Sequence, residues 1–385
     1  MLKKIKEIIK DRKTLLGAGP MSKNCVHSAI NVSNKYNVPI FLIASRRQID
    51  SEFFGGGYVN NWNTKEFAKF VKKNDKKKNI IISRDHGGPW QNNIEIEKKI
   101  SWKTALNFAK KSFESDIDND FKVIHIDTSI DIEKKISKKI ALDRFFELFE
   151  HCVYYSSKKK KKIYFEIGTE EQSGSTNTPS ELEDTLIKVS KFCFRNKIDL
   201  PLFVVIQAGT KVLEMKNIGS FESPLRIEDE LPVEIQLPKM IEICNKFGIF
   251  MKEHNGDYLT NESLSWHPKL GIHAVNVAPE FGVCETKSLI SILRQYNLKK
   301  ELDSFLEISF SSKKWKKWMI KDTKASDLDK SIISGHYIFG KNEFIFLKEK
   351  IESFLFKKNI DLDKYLQFQI ELSIIRYLRC FKIIN

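Results

Sequence analysis

Eight short apolar segments, each ending in polar or charged residues and each followed by a helical pattern, constrain this chain more than any other feature. The most explicit is Asn79 to Trp90 (NIIISRDHGGPW), where Ile80, Ile81 and Ile82 run into Arg84, Asp85 and His86 before a break at Gly87-Gly88-Pro89. A β-branched run bounded by Gly and Pro reads as a buried strand delivering charged groups to a loop. The pattern recurs at Thr14 to Gly19, Pro39 to Ser45, Phe121 to Ser129, Ile163 to Glu171, Leu202 to Thr210, Gly248 to Tyr258 and Gly271 to Gly282. Helical periodicity separates these segments, as in Trp102 to Phe113, Ile140 to Tyr154, Pro179 to Phe194 and Leu237 to Phe247, and a capping-box pattern opens at Asn63. Alternating strands and helices with polar strand ends predict an α/β fold, a (β/α)8 TIM barrel. A doubly wound sheet would carry a Gly-rich phosphate turn after its first strand, and GAGPMSKN lacks the GxGxxG spacing. Beyond Tyr296 the pattern is helical, so the barrel with its leading helix is expected at 1–296 and a C-terminal helical extension at 297–385.

The remaining composition narrows the class. No apolar run approaches the roughly 18 residues of a membrane helix, and the N-terminus MLKKIKEIIKDRK reads as an amphipathic helix with no signal-peptide core. The six cysteines are scattered without a CxxC pair, which argues against a disulfide framework or structural zinc and for a reducing cytoplasm. A net charge of +15 could point to nucleic acid, but the excess lies in lysine runs at 76–78, 158–162 and 313–317 that read as solvated faces and loops. Neither a nucleic acid nor a membrane is therefore the expected partner. An anionic small substrate agrees with the charge.

In a barrel of this kind the chemistry gathers at the carboxyl ends of the strands. The polar groups there are Arg46, Arg47, Asp85, His86, Asp127, Glu166, Glu170, Gln207, His254, Asp257, Asn276 and Glu280, with Arg84 beside them, and period-two alternation puts His86 and Arg84 on one strand face. His86, His254 and Glu170, from separate strands, form a candidate site for a divalent metal such as zinc, with Asp85 as general acid/base and Glu166 as a second catalytic carboxylate. Taken singly, either histidine reads as a satisfied strand-end residue. Taken together at the expected mouth, they read as ligands. His125 and His273 lie within strands and read as core histidines. Arg46, Arg47, Arg84 and Lys211 are the candidate anion site, although surface ion pairs explain each one alone. Lys252 reads as an ion-pair partner of Glu253 or Glu166 in preference to an imine-forming lysine.

These segments together resemble a known family, the accessory, so-called non-catalytic, subunit of class II D-tagatose-1,6-bisphosphate aldolase. The resemblance is carried, in order, by Phe54-Gly55-Gly56-Gly57-Tyr58, Asp85-His86-x-Gly-Pro89, Ile124-His125-Ile126-Asp127-x-Ser129 and Tyr164-x-x-Ile167-Gly168-Thr169-Glu170. It continues through Val204-Val205-x-Gln207-x-Gly209, His254-x-x-Asp257-Tyr258-x-Thr260, Val275-x-Val277-x-Pro279 and Arg376-Tyr377-x-x-Cys380. It implies a barrel related to class II aldolases, with Asp85 as the acid/base, His86 and His254 as two of three metal histidines, and Asn276 as the substrate-binding asparagine. Glu170 stands where catalytic members carry the third histidine. The chain departs from its own family at Arg84, at Arg46-Arg47, at Lys252 and at the QAG end of the sixth strand. The resemblance implies either a metal-dependent sugar-phosphate lyase working through an enediolate, or a silent subunit supporting a separate aldolase chain. A third expectation is an epimerase acting on a sugar phosphate or sugar acid. Gln207, Lys211 and Asp257 are expected to contact the phosphorylated or otherwise anionic sugar, and homo-oligomers are expected as an alternative to an aldolase partner.

Overall fold

The computed structural model describes residues 1–134, 136–168, 178–222 and 232–385. In chain order its strands are β1 (Leu15–Ala18), β2 (Ile40–Ser45), β3 (Ile80–Gly87), β4 (Val123–Asp127), β5 (Tyr164–Gly168), β6 (Phe203–Ile206), β7 (Val212–Leu213), β8 (Lys216–Asn217), β9 (Phe250–Glu253) and β10 (Ala274–Val277). Eight of them, all but β7 and β8, pair in parallel and close in the order β1-β10-β9-β6-β5-β4-β3-β2, with helices between them. This is the (β/α)8 barrel expected from the strand pattern. The short pair β7 and β8 forms a separate antiparallel hairpin after the sixth barrel strand.

Period-two alternation divides each strand between two layers. Leu15, Phe41, Ile43, Ile81, Val123, Phe203 and Ala274 fill the barrel interior, where Ile5 of the helix Leu2–Lys10 packs against them. Their neighbours Leu16, Leu42, Ile82, Ile124, Phe165, Val204, Met251 and Val275 face outward into the layer shared with the surrounding helices. Each fully buried aliphatic or aromatic side chain of this kind contributes on the order of 1.5–3 kcal/mol.

The alternation also decides which polar residues enter the barrel. Asp85, His125, Glu166, Lys252 and Asn276 occupy inward positions, an even number of residues beyond Ile81, Val123, Tyr164, Phe250 and Ala274, which belong to or pack on the interior cluster. One expectation from sequence fails here. His86 does not share a strand face with Arg84, because the register shifts between Arg84 and Gly87 and His86 takes a left-handed φ of 42°. The bulge lets Asp85 and His86 both turn to the barrel mouth while Arg84 points outward.

The C-terminal region is helical, as expected. Its last helix, Leu362–Cys380, packs on the helices Lys23–Tyr36 and Pro279–Gln295, and Ile370, Ile374, Tyr377 and Leu378 join the barrel's outer core. The helices Lys299–Ser311, Asp327–Ser334 and Asn342–Phe356 build a second apolar cluster around Phe305, Phe344 and Leu347. Among the described residues, no helix is long and apolar enough to cross a membrane.

Candidate active site

At the carboxyl ends of the strands lies a cavity of about 330 Å3, floored by histidines and carboxylates and walled by the ends of β2, β3, β4, β9 and β10. His86 near the end of β3, His125 on β4 and His254 after β9 converge there, with ring centroids 5.4 Å (His86 to His125), 5.1 Å (His86 to His254) and 5.1 Å (His125 to His254) apart. Asp85 sits among them: its Oδ2 is 3.8 Å from His86 Nε2, and its Oδ1 is 3.5 Å from His125 Nδ1 and 3.7 Å from His254 Nε2.

Each imidazole is oriented by a second group. Asp127 Oδ2 lies 2.6 Å from His86 Nδ1 and also accepts from Gln91 Nε2 at 2.9 Å, which leaves His86 Nε2 turned towards Asp85. A carboxylate on the far nitrogen is how metal-binding histidines are commonly aligned. The backbone N–H of His86 donates to His125 Nδ1 at 3.1 Å, while His125 Nε2 is buried without a partner. That nitrogen lies over Gly168, where an added Cβ would come within 2.0 Å of it, so only glycine leaves room for the ring. His254 Nε2 is 3.0 Å from Glu166 Oε1 and 3.0 Å from Asn276 Nδ2. Asn276 Nδ2 also reaches Asp85 Oδ1 at 3.2 Å, and Gly17 on the neighbouring strand admits the Asn276 side chain at a spot where a Cβ would stand 2.3 Å from its Oδ1.

The electrostatics reflect this crowding. Burial alone would raise Asp85, but the imidazoles of His86, His254 and His125 outweigh it and hold its carboxyl far below the usual range. His86 shows the reverse: burial disfavours its charge, yet Asp85 and Asp127 push it up to about 9. For His254 burial prevails and lowers it despite Asp85. Glu166, buried beneath the cavity, is lowered to about 2 because Lys252 at 2.7 Å, His125 and His254 overcome its desolvation.

This arrangement fits a divalent ion. Among the described residues two donor sets have atoms mutually within 4.8 Å: His86 with His125 and His254, and Asp85 with His125, Glu166 and His254. Three imidazoles from three strands, one with an orphaned nitrogen, match the nitrogen-rich coordination that zinc and its neighbours favour. The other candidate ligand, Glu170, lies outside the described residues.

Among the described residues the sequence-derived candidates divide into four groups. Asp85, His86, His254, Asn276, Asp257 and Arg47 line the cavity. Asp257 accepts from the N–H groups of Ala278 and Glu280 at 2.9 and 2.8 Å, and burial, then Glu280, push it up to about 8. Glu166 and Lys252 pair within the barrel below the cavity floor, the ion pair that the sequence favoured for Lys252. Arg46 and Arg84 do not reach the mouth. Arg46 is wholly buried between Asp50 (3.0 Å) and Glu95 (2.5 Å), and Arg84 holds Asp116 through two contacts at 2.6 and 2.8 Å. Both sit on the outer face of the barrel, so the expected four-cation anion site does not form. Gln207 and Lys211 come after β6 at the approach to the β7–β8 hairpin and do not line the cavity.

Two contributions escaped the sequence reading. His125 was expected to be a core histidine, yet Val123 faces inward and the residue two positions on must do the same, a signal present in the HID pattern. Lys317, Trp318 and Tyr337 come from the C-terminal region and line the cavity with no sequence signal at all.

No family model and no curated protein matches this sequence. Solved structures do. A probable tagatose 6 phosphate kinase from Sinorhizobium meliloti 1021 superposes with a TM-score of 0.69 at 13% identity, over 96% of this chain and 100% of that one. Fructose-bisphosphate aldolase from Campylobacter jejuni gives 0.55 at 12% identity, over 100% and 94%. The fructuronate-tagaturonate epimerase UxaE from Cohnella laeviribosi gives 0.52 at 12%, over 96% and 81%. At such identities the likeness is one of fold: the chain shares its (β/α)8 architecture with proteins named for work on sugars and sugar phosphates.

Proposed function

We propose that this protein is a metal-dependent enzyme of the class II aldolase type, breaking or forming a carbon–carbon bond beside the carbonyl of an anionic sugar. The observation that carries this reading is the convergence of His86, His125 and His254 with Asp85 at the barrel mouth. A divalent ion such as zinc, held by the three imidazoles, would polarise a substrate carbonyl or enediolate oxygen. Asp85, kept ionised by its three imidazole neighbours, takes and returns the proton of the reacting carbon or hydroxyl. Asn276 fixes Asp85 Oδ1 through its Nδ2. Glu166 and Lys252 hold His254 from beneath. Neighbours of this fold named for an aldolase and an epimerase acting on anionic sugars support the class.

The test joins elemental analysis to turnover. Purified protein is expected to carry about one divalent ion per chain, and to cleave or epimerise a member of a sugar-phosphate and hexuronate panel with sensitivity to chelator. Product stereochemistry separates cleavage from epimerisation. Asp85→Asn should keep the metal and lower kcat by about 10^2- to 10^4-fold. Metal-free protein that turns over its substrate unaffected by chelator would refute the proposal.

A second reading, an accessory subunit for a separate aldolase chain, is favoured by apolar side chains open to solvent on the last two helices. Phe346 and Phe356 on Asn342–Phe356, and Phe368 and Leu372 on Leu362–Cys380, are between 47% and 79% exposed. It predicts inactivity of the chain alone and gain of activity on adding an aldolase-type partner. Full activity of the isolated chain would exclude it.

A further inference from the structure

Four guanidinium groups packed on this barrel are matched to carboxylates: Arg46 to Asp50 and Glu95, Arg84 to Asp116, Arg144 to Asp131, Arg376 to Glu280. Arg47 is not among them. It lies just past β2, lines the cavity, and leaves its Nε buried without a hydrogen-bond partner. The carboxylate whose field reaches it, Asp127, is already engaged by His86 and Gln91.

Opposite stands a second cation. Lys317, in the 3-10 turn Lys314–Trp318, lies 4.8 Å from the ring centroid of Trp318 and 5.1 Å from that of Tyr337, and makes no ion pair among the described residues. Its position is built by contacts beyond its own loop. The backbone N–H of Glu214, in the β7–β8 turn, donates to Trp318 O at 2.9 Å, Trp318 Nε1 donates to Tyr337 Oη at 3.1 Å, and Tyr337 packs on Tyr58 with centroids 4.7 Å apart. Two cations facing one cavity repel one another, and the Arg47 charge adds to burial in disfavouring the Lys317 ammonium. An anion between them removes that penalty and satisfies the orphaned Nε.

We infer that the terminal anionic group of the substrate, a phosphate or a carboxylate, is held between Arg47 and Lys317, so that a residue of the C-terminal region completes the site. The inference rests on the reading above in taking the cavity as a sugar site, and it adds the group that recognises the charge. The uncharged part of the sugar then lies along the Tyr58, Tyr337 and Trp318 wall, between the cations and the Asp85 and histidine cluster. A cavity of about 330 Å3 suits a short sugar with a single terminal anion.

Binding of inorganic phosphate, D-glucuronate and uncharged D-glucose to the full chain, measured by calorimetric titration, tests this for wild type, Arg47→Met and Lys317→Met, with metal content recorded in parallel. At least one anion should bind while glucose does not, and each variant should weaken that anion by about tenfold with its metal content unchanged. Preference for phosphate identifies a sugar phosphate, and preference for glucuronate a sugar acid. Failure of both anions to bind wild type, or wild-type affinity in either variant, overturns the inference. Absence of metal from wild type with anion binding intact would overturn the metal-dependent reading and leave the anion site standing.

Discussion

Arg84 offers the clearest quantitative test of how the site is held. Its guanidinium contacts Asp116 at 2.6 and 2.8 Å and donates to the carbonyl oxygens of Ala44 and Ile49 at 2.8 and 2.7 Å, all in a fully buried setting over the Phe121 ring. Burial disfavours the Arg84 charge, but Asp116 outweighs it and raises the guanidinium, while burial raises the Asp116 carboxyl despite Arg84. Replacing Arg84 by Met leaves the Asp116 carboxylate buried without its cation and two carbonyls without a donor. Removing one partner of a buried pair typically costs about 3–5 kcal/mol, so Arg84→Met is expected to lose about 4 kcal/mol in urea unfolding. The double variant Arg84→Met/Asp116→Leu removes the stranded charge and should recover about 2 kcal/mol of that loss. Because Ala44 and Ile49 flank the turn that carries Arg47, the single variant should also weaken substrate binding more than its metal content. A loss below about 1 kcal/mol, or a double variant no better than the single, would refute this account of the pair.

The geometry leads to three further outcomes. His125→Ala should release the divalent ion as fully as His86→Ala or His254→Ala, whereas Glu170→Gln should retain it; elemental analysis of the four variants decides between the histidine triad and the ligand set expected from sequence. Gly168→Ala places a methyl group 2.0 Å from His125 Nε2 and should displace the ring, cutting metal affinity at least tenfold, and unchanged affinity would contradict the packing described. Finally Glu285, buried against Ser22 and Asn24, is pushed by burial from an ordinary 4.5 up to about 7. A raised carboxyl contributes stability below its unfolded value that is lost as pH climbs through the folded one, so wild type should lose on the order of 3 kcal/mol relative to Glu285→Gln between about pH 4.5 and 7. Parallel pH profiles of the two thermal midpoints would count against it.

The barrel was legible because its information is local. Strand length, β-branched runs and helical spacing are properties of adjacent residues, and every one of the eight segments read from sequence contains the corresponding strand. The polar strand ends at Asp85, His86, His254 and Asn276 were legible for the same reason, since a strand that stops at the rim must present its last residues and the start of its loop to the mouth. Arg84 keeps the outward face that alternation from Ile82 gives it, and the bulge after it turns His86 alone to the mouth, which nothing in RDHGG states. His125 was undervalued since alternation alone does not say that three strands aim imidazoles at one point. The sequence by itself determined the strands, their order along the chain and the polar character of the rim, all set by neighbours in the chain. Tertiary structure decided which charges are spent on ion pairs, which imidazoles meet, and that Lys317 reaches the cavity from nearly the far end of the chain. Those outcomes depend on closure of the barrel and on packing of the C-terminal helices, where distance in sequence carries no distance in space.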